Sequence, residues 1–360
     1  MKQSHARIYV CHTFYHAYIA FLKELALPED KHGDATLVLS LMSNNFNDFK
    51  ERAMSCGLWE DVIEYDEKRE TFFPELAKWK KDKGSFIKNS FSRIVFTHEF
   101  AKLQERYVPV NFKDYGEVYV FCDLDPIGLY LSQKHIKYHA LEDGLDSLKI
   151  MYHAYLENKS HFKLKAFMSE VCNLIFIGEG FNKYCIDMEV NDIASIRNDG
   201  DCKKLIEVPR QELAARLTDE DKEILLKAFV PDYDSLITQI EKLPRDARTI
   251  LILTEPLCDL STRERLFRDL INRYSSEGLV FIKPHPRDEL NYRTLFSDVP
   301  QFEGSMPMEI LNLFKDFRFS KVVSVYTQLG EISFAAEKER LGKDFMDAYE
   351  DVSVHAHLTE

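Results

Sequence analysis

The chain has 360 residues, a formal net charge of −13 and a composition that is 45% hydrophobic and 30% charged. This length predicts two domains, and the composition is typical of globular proteins. The negative charge disfavours a protein that wraps nucleic acid or lies broadly on an anionic membrane, but it still allows a small cationic pocket for a phosphate.

The cysteine pattern predicts a reducing compartment. The seven cysteines are scattered, form no CxxC pair, and in several cases lie in apolar runs. They are typical of reduced, buried thiols in a cytoplasmic protein. The N-terminal stretch lacks the features of a signal peptide, and no apolar run is long enough to cross a bilayer. We therefore expect a cytoplasmic protein.

The first half of the chain alternates between strand and helix patterns. Five short apolar runs predict strands: RIYVC, ATLVLSLM, LWEDVIEY, EVYVFCDLDP and KYHALEDG. Helical spacing separates them in HTFYHAYIAFLKEL, in the polar and aromatic residues 66–110, and in IGLYLSQKH. This alternation favours a parallel α/β sheet.

Between the two halves, KKLIEVPR predicts a strand, and TDEDKEILLKAF predicts a helix capped by Thr218. A second α/β series then opens with RTILILTEPL. It continues with a helix over about 262–275, GLVFIKPHP, MPMEILNLF, FSKVVSVYTQLG and a closing helix through EISFAAEKE. We expect two doubly wound domains, 1–190 and 246–360, with 191–245 connecting them.

Four polar turns follow predicted strands: LEDG, TEPLCD, KPHPRD and SVYTQLG. Ligands of doubly wound sheets bind outside the carboxyl ends of the strands. If the two domains face each other, these turns can converge on one cleft.

KPHP presents a histidine in a restricted backbone. Pro284 and Pro286 limit the conformation of His285, and Lys283 and Arg287 flank them. A hydrogen-bond-donating histidine beside two cations suits an anionic leaving group such as a nucleotide phosphate. The alternative is a rigid strand exit whose histidine caps a nearby carbonyl.

LEDG places two carboxylates before a glycine that allows a tight turn. Glu142 and Asp143 point different ways, and one of them is a candidate general base. The alternative is an ordinary solvated turn that caps the next helix.

SVYTQLG and MPMEIL carry candidate nucleotide contacts. Ser324, Thr327 and Gln328 precede Gly330 and a predicted helix, whose N-terminus would attract an anion. Glu309 lies near a predicted helix start and is a candidate partner of ribose hydroxyls. A helix cap and a favourable helix-dipole interaction are the respective alternatives.

Metal and cofactor motifs are weak or absent. Asp123 and Asp125 form a DxD pattern that occurs often by chance and runs directly into Pro126. CHTFYH lies at a strand-to-helix junction, where a packed or substrate-lining turn is expected rather than a zinc site. GxGxxG, GxxxxGK[ST] and GxSxG motifs do not occur. We expect no metal and no resident cofactor.

As a set, these turns resemble those of the bacterial sialyltransferases, in particular glycosyltransferase family 52 of the lipooligosaccharide and capsule type. EDG in the first half, KPHP in the second and the late hydroxyl-bearing turn carry the resemblance, with YVCHTFYHAYIA, ILILTEPL and FIKPHPRD. It covers about residues 7–335 as spaced motifs. It implies a GT-B architecture of two Rossmann-like domains facing a central cleft. It also implies inverting, metal-independent transfer of sialic acid from CMP-sialic acid to a terminal sugar hydroxyl of a lipooligosaccharide or capsular glycan.

The resemblance also implies residue roles. Asp143 is the candidate base with support from Glu142, Asp259 is a rival base, and His285 donates to the departing CMP phosphate. Thr327, with Ser324 and Gln328, holds that phosphate, and Glu309 holds the ribose. The full set implied for the nucleotide is Thr254, Glu255, Pro256, Lys283, Pro284, Glu309, Ser324, Thr327 and Gln328. Two departures stand out: the family favours consecutive serines in the late turn, and glutamine where this chain has Glu255.

Other interpretations remain open at this point. The same scaffold serves transferases with another nucleotide-sugar or CDP-polyol donor, and a non-catalytic scaffold for glycan assembly is a further alternative. The expected partners are a nucleotide-sugar donor and a lipid-linked oligosaccharide acceptor, without nucleic acid. Peripheral attachment to the cytoplasmic membrane is a further expectation. Residues 66–110 and 145–190 are expected to set acceptor specificity, and 66–110 to offer a homodimer surface.

Overall fold

A computed structural model describes residues 5–144, 153–244, 247–315, 317–330 and 332–351. The chain divides into two compact units, Met1–Asp221 and Lys222–Glu360. The division falls inside the region 191–245. Part of that region belongs to the sheet of the first unit and part to the helices of the second.

The first unit contains a parallel sheet of seven strands in the order β3-β2-β1-β4-β5-β6-β7. The strands are β1 (His5–Cys11), β2 (Ala35–Ser40), β3 (Asp61–Tyr65), β4 (Tyr115–Phe121), β5 (Tyr138–Leu141), β6 (Cys185–Val190) and β7 (Leu205–Glu207). β1, β2 and β4 are rich in buried apolar residues because helices cover both faces of such a sheet. The order in which strands are added to the sheet reverses between β1 and β4, and ligands bind at this kind of point in such folds.

Helices alternate with these strands along the chain. They are α1 (Phe14–Leu25), α2 (Phe49–Ser55), α3 (Ala77–Lys80), α4 (Phe86–Gln104), α5 (Pro126–Gln133), α6 (His153–Asn158), α7 (Phe162–Glu170), α8 (Arg210–Ala215) and α9 (Asp219–Phe229), the last of which crosses the division. Thr13 caps α1, because its hydroxyl accepts from the backbone N–H of His16. The expected strands and helices of the first half are therefore confirmed, whereas β6 was not predicted.

The second unit contains four parallel strands in the order β11-β10-β8-β9. They are β8 (Thr249–Leu253), β9 (Leu279–Lys283), β10 (Phe319–Ser324) and β11 (Ala335–Arg340). Its helices are α10 (Tyr233–Glu241), α11 (Leu260–Ser275), α12 (Tyr292–Leu295) and α13 (Gly342–Met346). Leu266, Phe267 and Leu270 of α11 pack with Ile250 and Ile252 of β8 in one buried cluster.

Two predictions for the second unit were wrong. Where a closing helix was expected, Ala335–Arg340 form β11, which pairs in parallel with β10. On that sheet edge Lys321 forms an ion pair with Glu339 at 3.0 Å, and such cross-strand charge pairs stabilise a strand even when its residues are good helix formers. In addition, MPMEILNLF contains a 3₁₀ helix, Met308–Leu313, rather than an α-helix.

No α-helix within the described ranges is both long enough and apolar enough to span a bilayer.

Candidate active site

The first candidate site lies where strands of the first sheet end. His12 follows β1, Glu67 follows β3, Asp125 follows β4 and Asp143 follows β5. Because parallel strands end at the same sheet edge, residues far apart in sequence meet there. The contacts among these side chains define two linked groups, one around Asp143 and one around His12.

Asp143 is held by a buried histidine. Nε2 of His16 lies 2.6 Å from Oδ1 of Asp143, and Nδ1 of His16 accepts from the backbone N–H of His12 at 3.1 Å. Nδ1 thus acts as an acceptor, so the neutral ring carries its proton on Nε2 and donates it to Asp143. Burial lowers the pKa of His16, despite the opposing effect of Asp143. A neutral imidazole therefore positions this carboxylate.

The Asp143 side chain remains accessible. It is 44% exposed, whereas the His16 side chain is fully buried and stacks on Phe121 with ring centroids 4.7 Å apart. Gly144 follows with φ +123°, a conformation that L side chains rarely adopt, and this allows the turn. A fixed but accessible carboxylate is the geometry required of a general base.

His12 forms the second group. Its Nε2 lies 2.8 Å from Oε2 of Glu67 and 3.5 Å from Oδ2 of Asp125. Burial opposes the charge of His12, but Glu67, together with Asp125 and Asp143, outweighs it and raises the pKa of His12 to about 9. Burial also raises the pKa of Asp125 to about 6, against the effect of His12. A buried imidazolium thus lies beside the candidate base.

Glu67 connects three strand ends. It accepts from Nε2 of His12, from the hydroxyl of Ser40 at 2.7 Å and from the backbone N–H of Ile127 at 2.7 Å. Its side chain is fully buried. Because hydrogen bonds to a buried carboxylate are strong, Glu67 fixes the turns after β1, β2 and β4 relative to each other.

Glu142 points away from the exposed position of Asp143. It is buried, and its Oε1 lies 3.9 Å from Nη2 of Arg210 on α8. Burial raises the pKa of Glu142, against the lowering effects of the Asn191 backbone and Arg210. The structure thus places the two adjacent carboxylates in different surroundings.

The two aspartates of DxD have separate partners. Asp123 is buried and accepts from the hydroxyl of Tyr138 at 2.9 Å and the backbone N–H of Glu179 at 2.7 Å. Asp125 instead faces His12. The pair therefore does not present two carboxylates to one ion.

The second candidate site lies where β8, β9 and β10 end, and Asp288 is its central residue. Asp288 accepts from Nη1 of Arg263 at 2.6 Å, from the hydroxyl of Tyr292 at 2.8 Å and from the hydroxyl of Thr254 at 3.2 Å. The Thr254 hydroxyl in turn accepts from the backbone N–H of His285 at 3.0 Å. These contacts join the TEPL turn to KPHPRD.

His285 has a defined tautomer. Its Nδ1 accepts from the backbone N–H of Arg287 at 3.1 Å, so the neutral ring carries its proton on Nε2. The side chain is half-buried. Together with the bond from its backbone to Thr254, this orients the ring as an N–H donor.

Lys283 is buried rather than presented to a ligand. Its ammonium donates to the carbonyls of Pro284 at 2.8 Å and Gly304 at 2.9 Å. Burial lowers the pKa of Lys283 to about 7, against the effects of Glu309 and Glu303. Glu309 is half-buried in the 3₁₀ helix, and burial raises its pKa. Lys283 and Glu309 thus influence each other at the base of the KPHP turn.

Glu255 occupies the backbone donors of the late turn. Its carboxylate accepts from the N–H groups of Val325 at 2.9 Å, Tyr326 at 3.0 Å and Thr327 at 3.0 Å. Within the described residues this turn leads to β11 rather than to a helix, so the prediction of a helix N-terminus at this turn was wrong. The carboxylate of Glu255 already satisfies the donors that this prediction assigned to a phosphate.

The side chains of the late turn differ in exposure. The Ser324 hydroxyl is buried and donates to the carbonyl of Thr327 at 2.8 Å, Thr327 is half-buried, and Gln328 is exposed. The Thr327 and Gln328 side chains are therefore better placed for a ligand than Ser324.

Asp259 is a helix cap. It accepts from the backbone N–H groups of Ser261 at 3.0 Å and Thr262 at 3.1 Å, and from both of their hydroxyls. These bonds, with the Ser261 hydroxyl first, hold the pKa of Asp259 well below its usual range. Such a carboxylate is a poor base. Pro256 is exposed in the same loop.

Sequence reasoning missed His12, His16, Glu67, Arg263 and the role of Asp288. CHTFYH did show two histidines four residues apart at a strand-to-helix junction, and KPHPRD ends in the aspartate. Glu67 and Arg263 lack a local signal because their partners lie on other strand ends, such as Asp288, 25 residues after Arg263.

The charge on His12 predicts a pH-dependent contribution to stability. Because its folded pKa of about 9 exceeds the ordinary histidine value of 6.5, the contribution is complete below pH 6.5 and is lost as the pH rises through 9. His12→Asn should therefore lower the free energy of unfolding by roughly 1–3 kcal/mol at low pH, and by less at high pH. Trp59 and Trp79 both lie in the first unit, so urea titrations followed by tryptophan fluorescence report on that unit. If the free energy of unfolding differs between wild type and variant by the same amount across this pH range, the assignment of a positive charge to His12 is contradicted.

Comparisons with known proteins agree with this architecture. A model of Glycosyltransferase family 52 matches residues 61–328, more than half of the chain. A Haemophilus influenzae protein described as uncharacterized is 30% identical over 96 residues, which cover 25% of this chain and 30% of that protein. The match thus spans less than a third of the relative.

Two bacterial sialyltransferases share the fold. One is the α/β-galactoside α-2,3-sialyltransferase of Photobacterium phosphoreum, with a TM-score of 0.52, 9% identity and coverage of 93% of this chain and 90% of that one. The other is a 2,6-sialyltransferase of a Photobacterium species in complex with CMP and lactose, with a TM-score of 0.55, 9% identity and coverage of 92% and 71%. The predicted GT-B fold with two α/β domains is confirmed, and the chain belongs to glycosyltransferase family 52.

Proposed function

We propose that this protein is an inverting, metal-independent sialyltransferase that moves sialic acid from CMP-sialic acid to a sugar hydroxyl of a bacterial surface glycan. The observation that carries the proposal is Asp143, an accessible carboxylate that neutral His16 fixes at a strand end. Membership of family 52 and the shared fold of two sialyltransferases support it. One of these relatives was solved with CMP and lactose, a donor product and an acceptor.

Asp143 acts as the base in this proposal. Its carboxylate takes the proton of the acceptor hydroxyl as the oxygen forms a bond to the anomeric carbon of sialic acid. His16 already donates to Oδ1, so it orients the carboxylate without competing as a base. Glu142 is buried against Arg210 and supports the turn rather than the proton transfer.

His285 acts on the leaving group. As the bond from the anomeric carbon to the phosphate oxygen breaks, negative charge grows on CMP. An N–H on Nε2 stabilises that charge. The hydrogen bonds that link Asp288 to Thr254, and Thr254 to the backbone of His285, fix the turn that carries His285. The rest of the proposed nucleotide surface consists of Thr254, Glu309, Thr327 and the exposed Gln328 and Pro256. The backbone of that surface is held in place by Glu255, Lys283, Pro284 and Ser324.

The acceptor and the location follow from the same proposal. A glycan that is sialylated in the cytoplasm is best presented on a lipid at the inner face of the membrane. The seven cysteines are all unpaired, which supports a reducing compartment. We therefore propose a cytoplasmic enzyme that reaches a lipid-linked acceptor.

Replacing the two rival bases separates them. Asp143→Asn should lower kcat for transfer by about 10²–10⁴-fold, because loss of a positioned base has effects of this size. Asp259→Asn should leave kcat unchanged, since asparagine also caps helices well. Both variants are assayed with CMP-sialic acid and lactose. The reverse pattern would assign the base to Asp259.

Replacing His285 tests the donor. With EDTA present, wild type should transfer sialic acid from CMP-sialic acid, and His285→Ala should lose about 10²-fold or more in kcat, as expected on losing a group that stabilises the leaving anion. CDP binding, measured by calorimetry, should persist in the variant and thereby show an intact fold.

Two outcomes would contradict the donor proposal. Wild-type protein that neither turns over CMP-sialic acid nor binds CMP or CDP, but uses a UDP-sugar or a CDP-polyol, would be a family 52 transferase with another donor. Binding without turnover of any of these donors would indicate a scaffold.

A further inference from the structure

Asp125 lies at the start of a helix but does not cap it. It is the N-cap residue of α5, yet its side chain makes no capping hydrogen bond, although aspartate is among the best N-cap residues. The carboxylate of Glu67 accepts from the backbone N–H of Ile127 instead, at 2.7 Å. Because Glu67 satisfies this donor of the first turn, the carboxylate of Asp125 can point elsewhere.

The turn before α5 directs Asp125 toward the first candidate site. Cys122 has φ +55°, a conformation that is uncommon for residues other than glycine, and such strained positions are concentrated at functional sites. Gly128 lets α5 approach this turn closely, since a Cβ there would overlap the carbonyl oxygen of Asp123. The turn is therefore held with Asp123 buried and the Asp125 side chain 26% exposed.

Two histidines of the β1–α1 junction each face a carboxylate at the end of a neighbouring strand. His16 donates to Asp143 after β5, and Nε2 of His12 lies 3.5 Å from Oδ2 of Asp125 after β4. The two imidazole rings are 6.1 Å apart between centroids, and β4 and β5 are neighbours in the sheet. The charge of Asp143 acts on Asp125, so the two accessible carboxylates lie near each other at one sheet edge.

The charges at this edge favour hydroxyl groups over anions. Burial raises the pKa of Asp125 to about 6, so its carboxylate is ionised at pH 8. With Glu67 and Asp143, it outnumbers the single positive charge of His12. Such a surface repels the phosphate and the carboxylate of a donor, whereas carboxylates accept strong hydrogen bonds from neutral hydroxyl groups.

His12 adds a second group that an oxygen could satisfy. Among the described residues, its Nδ1 has no hydrogen-bond partner, although this atom is buried. A buried donor without a partner is costly, and a charged one more so. Because hydroxyl groups both donate and accept, a polyol suits a surface that offers both carboxylates and an N–H group.

We propose that Asp125 accepts a hydrogen bond from a second hydroxyl of the acceptor sugar while Asp143 takes the proton of the hydroxyl that reacts. This inference rests on the proposed function, in which Asp143 is the base. Asp125 then contributes to the choice of acceptor rather than to the bond-making step. The acceptors are sugars that keep a free hydroxyl close to the one that is sialylated, because a site built for a hydroxyl discriminates strongly against analogues without it.

A metal ion fits this position less well than a sugar. An ion bound between Asp125 and Asp143 would lie beside His12, whose imidazolium carries a positive charge. Like charges at this distance repel each other.

Deoxy analogues of lactose test the proposal. Lactose and analogues that each lack one galactose hydroxyl are compared as acceptors at pH 8 with EDTA present. In wild type, loss of one particular non-reacting hydroxyl should lower kcat/KM by roughly 10–100-fold, the range for a hydrogen bond to a charged group. Asp125→Ala should use lactose less well by a similar factor. The variant should no longer distinguish lactose from that analogue, because the partner of the hydroxyl is missing.

Controls separate acceptor binding from chemistry and from folding. Hydrolysis of CMP-sialic acid without acceptor should be unchanged in Asp125→Ala. Asp125→Asn keeps the size of the side chain and should show the same loss in weaker form. The matched control Asp66→Asn removes a carboxylate that is 65% exposed after β3, and it should behave like wild type with every analogue. Circular dichroism checks that each variant is folded.

Three results would overturn the proposal. These are an analogue effect that persists in full in Asp125→Ala, an equal loss in Asp66→Asn, and loss of donor hydrolysis in Asp125→Ala, which would assign Asp125 to the chemistry.

A binding measurement keeps this test independent of the donor. Saturation-transfer NMR in the presence of CMP measures the binding of lactose and its analogues without turnover. If wild type does not turn over CMP-sialic acid, the proposed function fails, and this comparison still decides the inference about Asp125. Weaker binding of one analogue to wild type but not to Asp125→Ala supports it. No binding of lactose, or the same pattern in both proteins, contradicts it.

Discussion

The backbone N–H of His12 donates to Nδ1 of His16 at 3.1 Å, and the geometry of the first site depends on this bond. It leaves Nε2 of the neutral ring to carry the proton that Asp143 accepts. The ring is fully buried, stacks on Phe121 and lies in the first turn of a helix capped by Thr13. The position of Asp143, 127 residues later, is therefore set by the junction of β1 and α1. This explains why a turn with an exposed carboxylate can still present it in one orientation.

Both units use buried carboxylates to hold strand ends together. Glu67 joins the ends of three strands in the first sheet, and Asp288 joins two turns in the second. Glu255 holds residues 325–327 in place, because its carboxylate accepts hydrogen bonds from their three backbone N–H groups. Hydrogen bonds to charged groups contribute about 1.5–3 kcal/mol each, so these turns are rigid. Fixed turns keep a base or a donor in place during a reaction, because little reorganisation is then required.

The sequence predicted most strands correctly, but it did not predict polar contacts between residues that lie far apart in the chain. Buried apolar runs identified most strands, and Asp143 and His285 lie in turns that follow strands, as the sequence predicted. The segment that forms β11 consists of helix-forming residues, and only its pairing with β10 makes it a strand. The hydroxyl side chains of the turn SVYTQLG led to the prediction of an anion site there. The carboxylate that accepts from the backbone of this turn belongs to Glu255, which lies about 70 residues earlier in the chain. Of the region 145–190, which we expected to help set acceptor specificity, residues 145–152 lie outside the described residues.

The central claim is that a neutral imidazole positions Asp143 as the base, and nitrogen NMR of the histidines measures this directly. The His16 signals are assigned by comparison with His16→Gln. At pH 7 the account predicts one protonated ring nitrogen, Nε2, and an unprotonated Nδ1. Two protonated nitrogens, or a proton on Nδ1, would contradict it. In that case the His12 backbone would not fix the ring, and Asp143 would not be held as described.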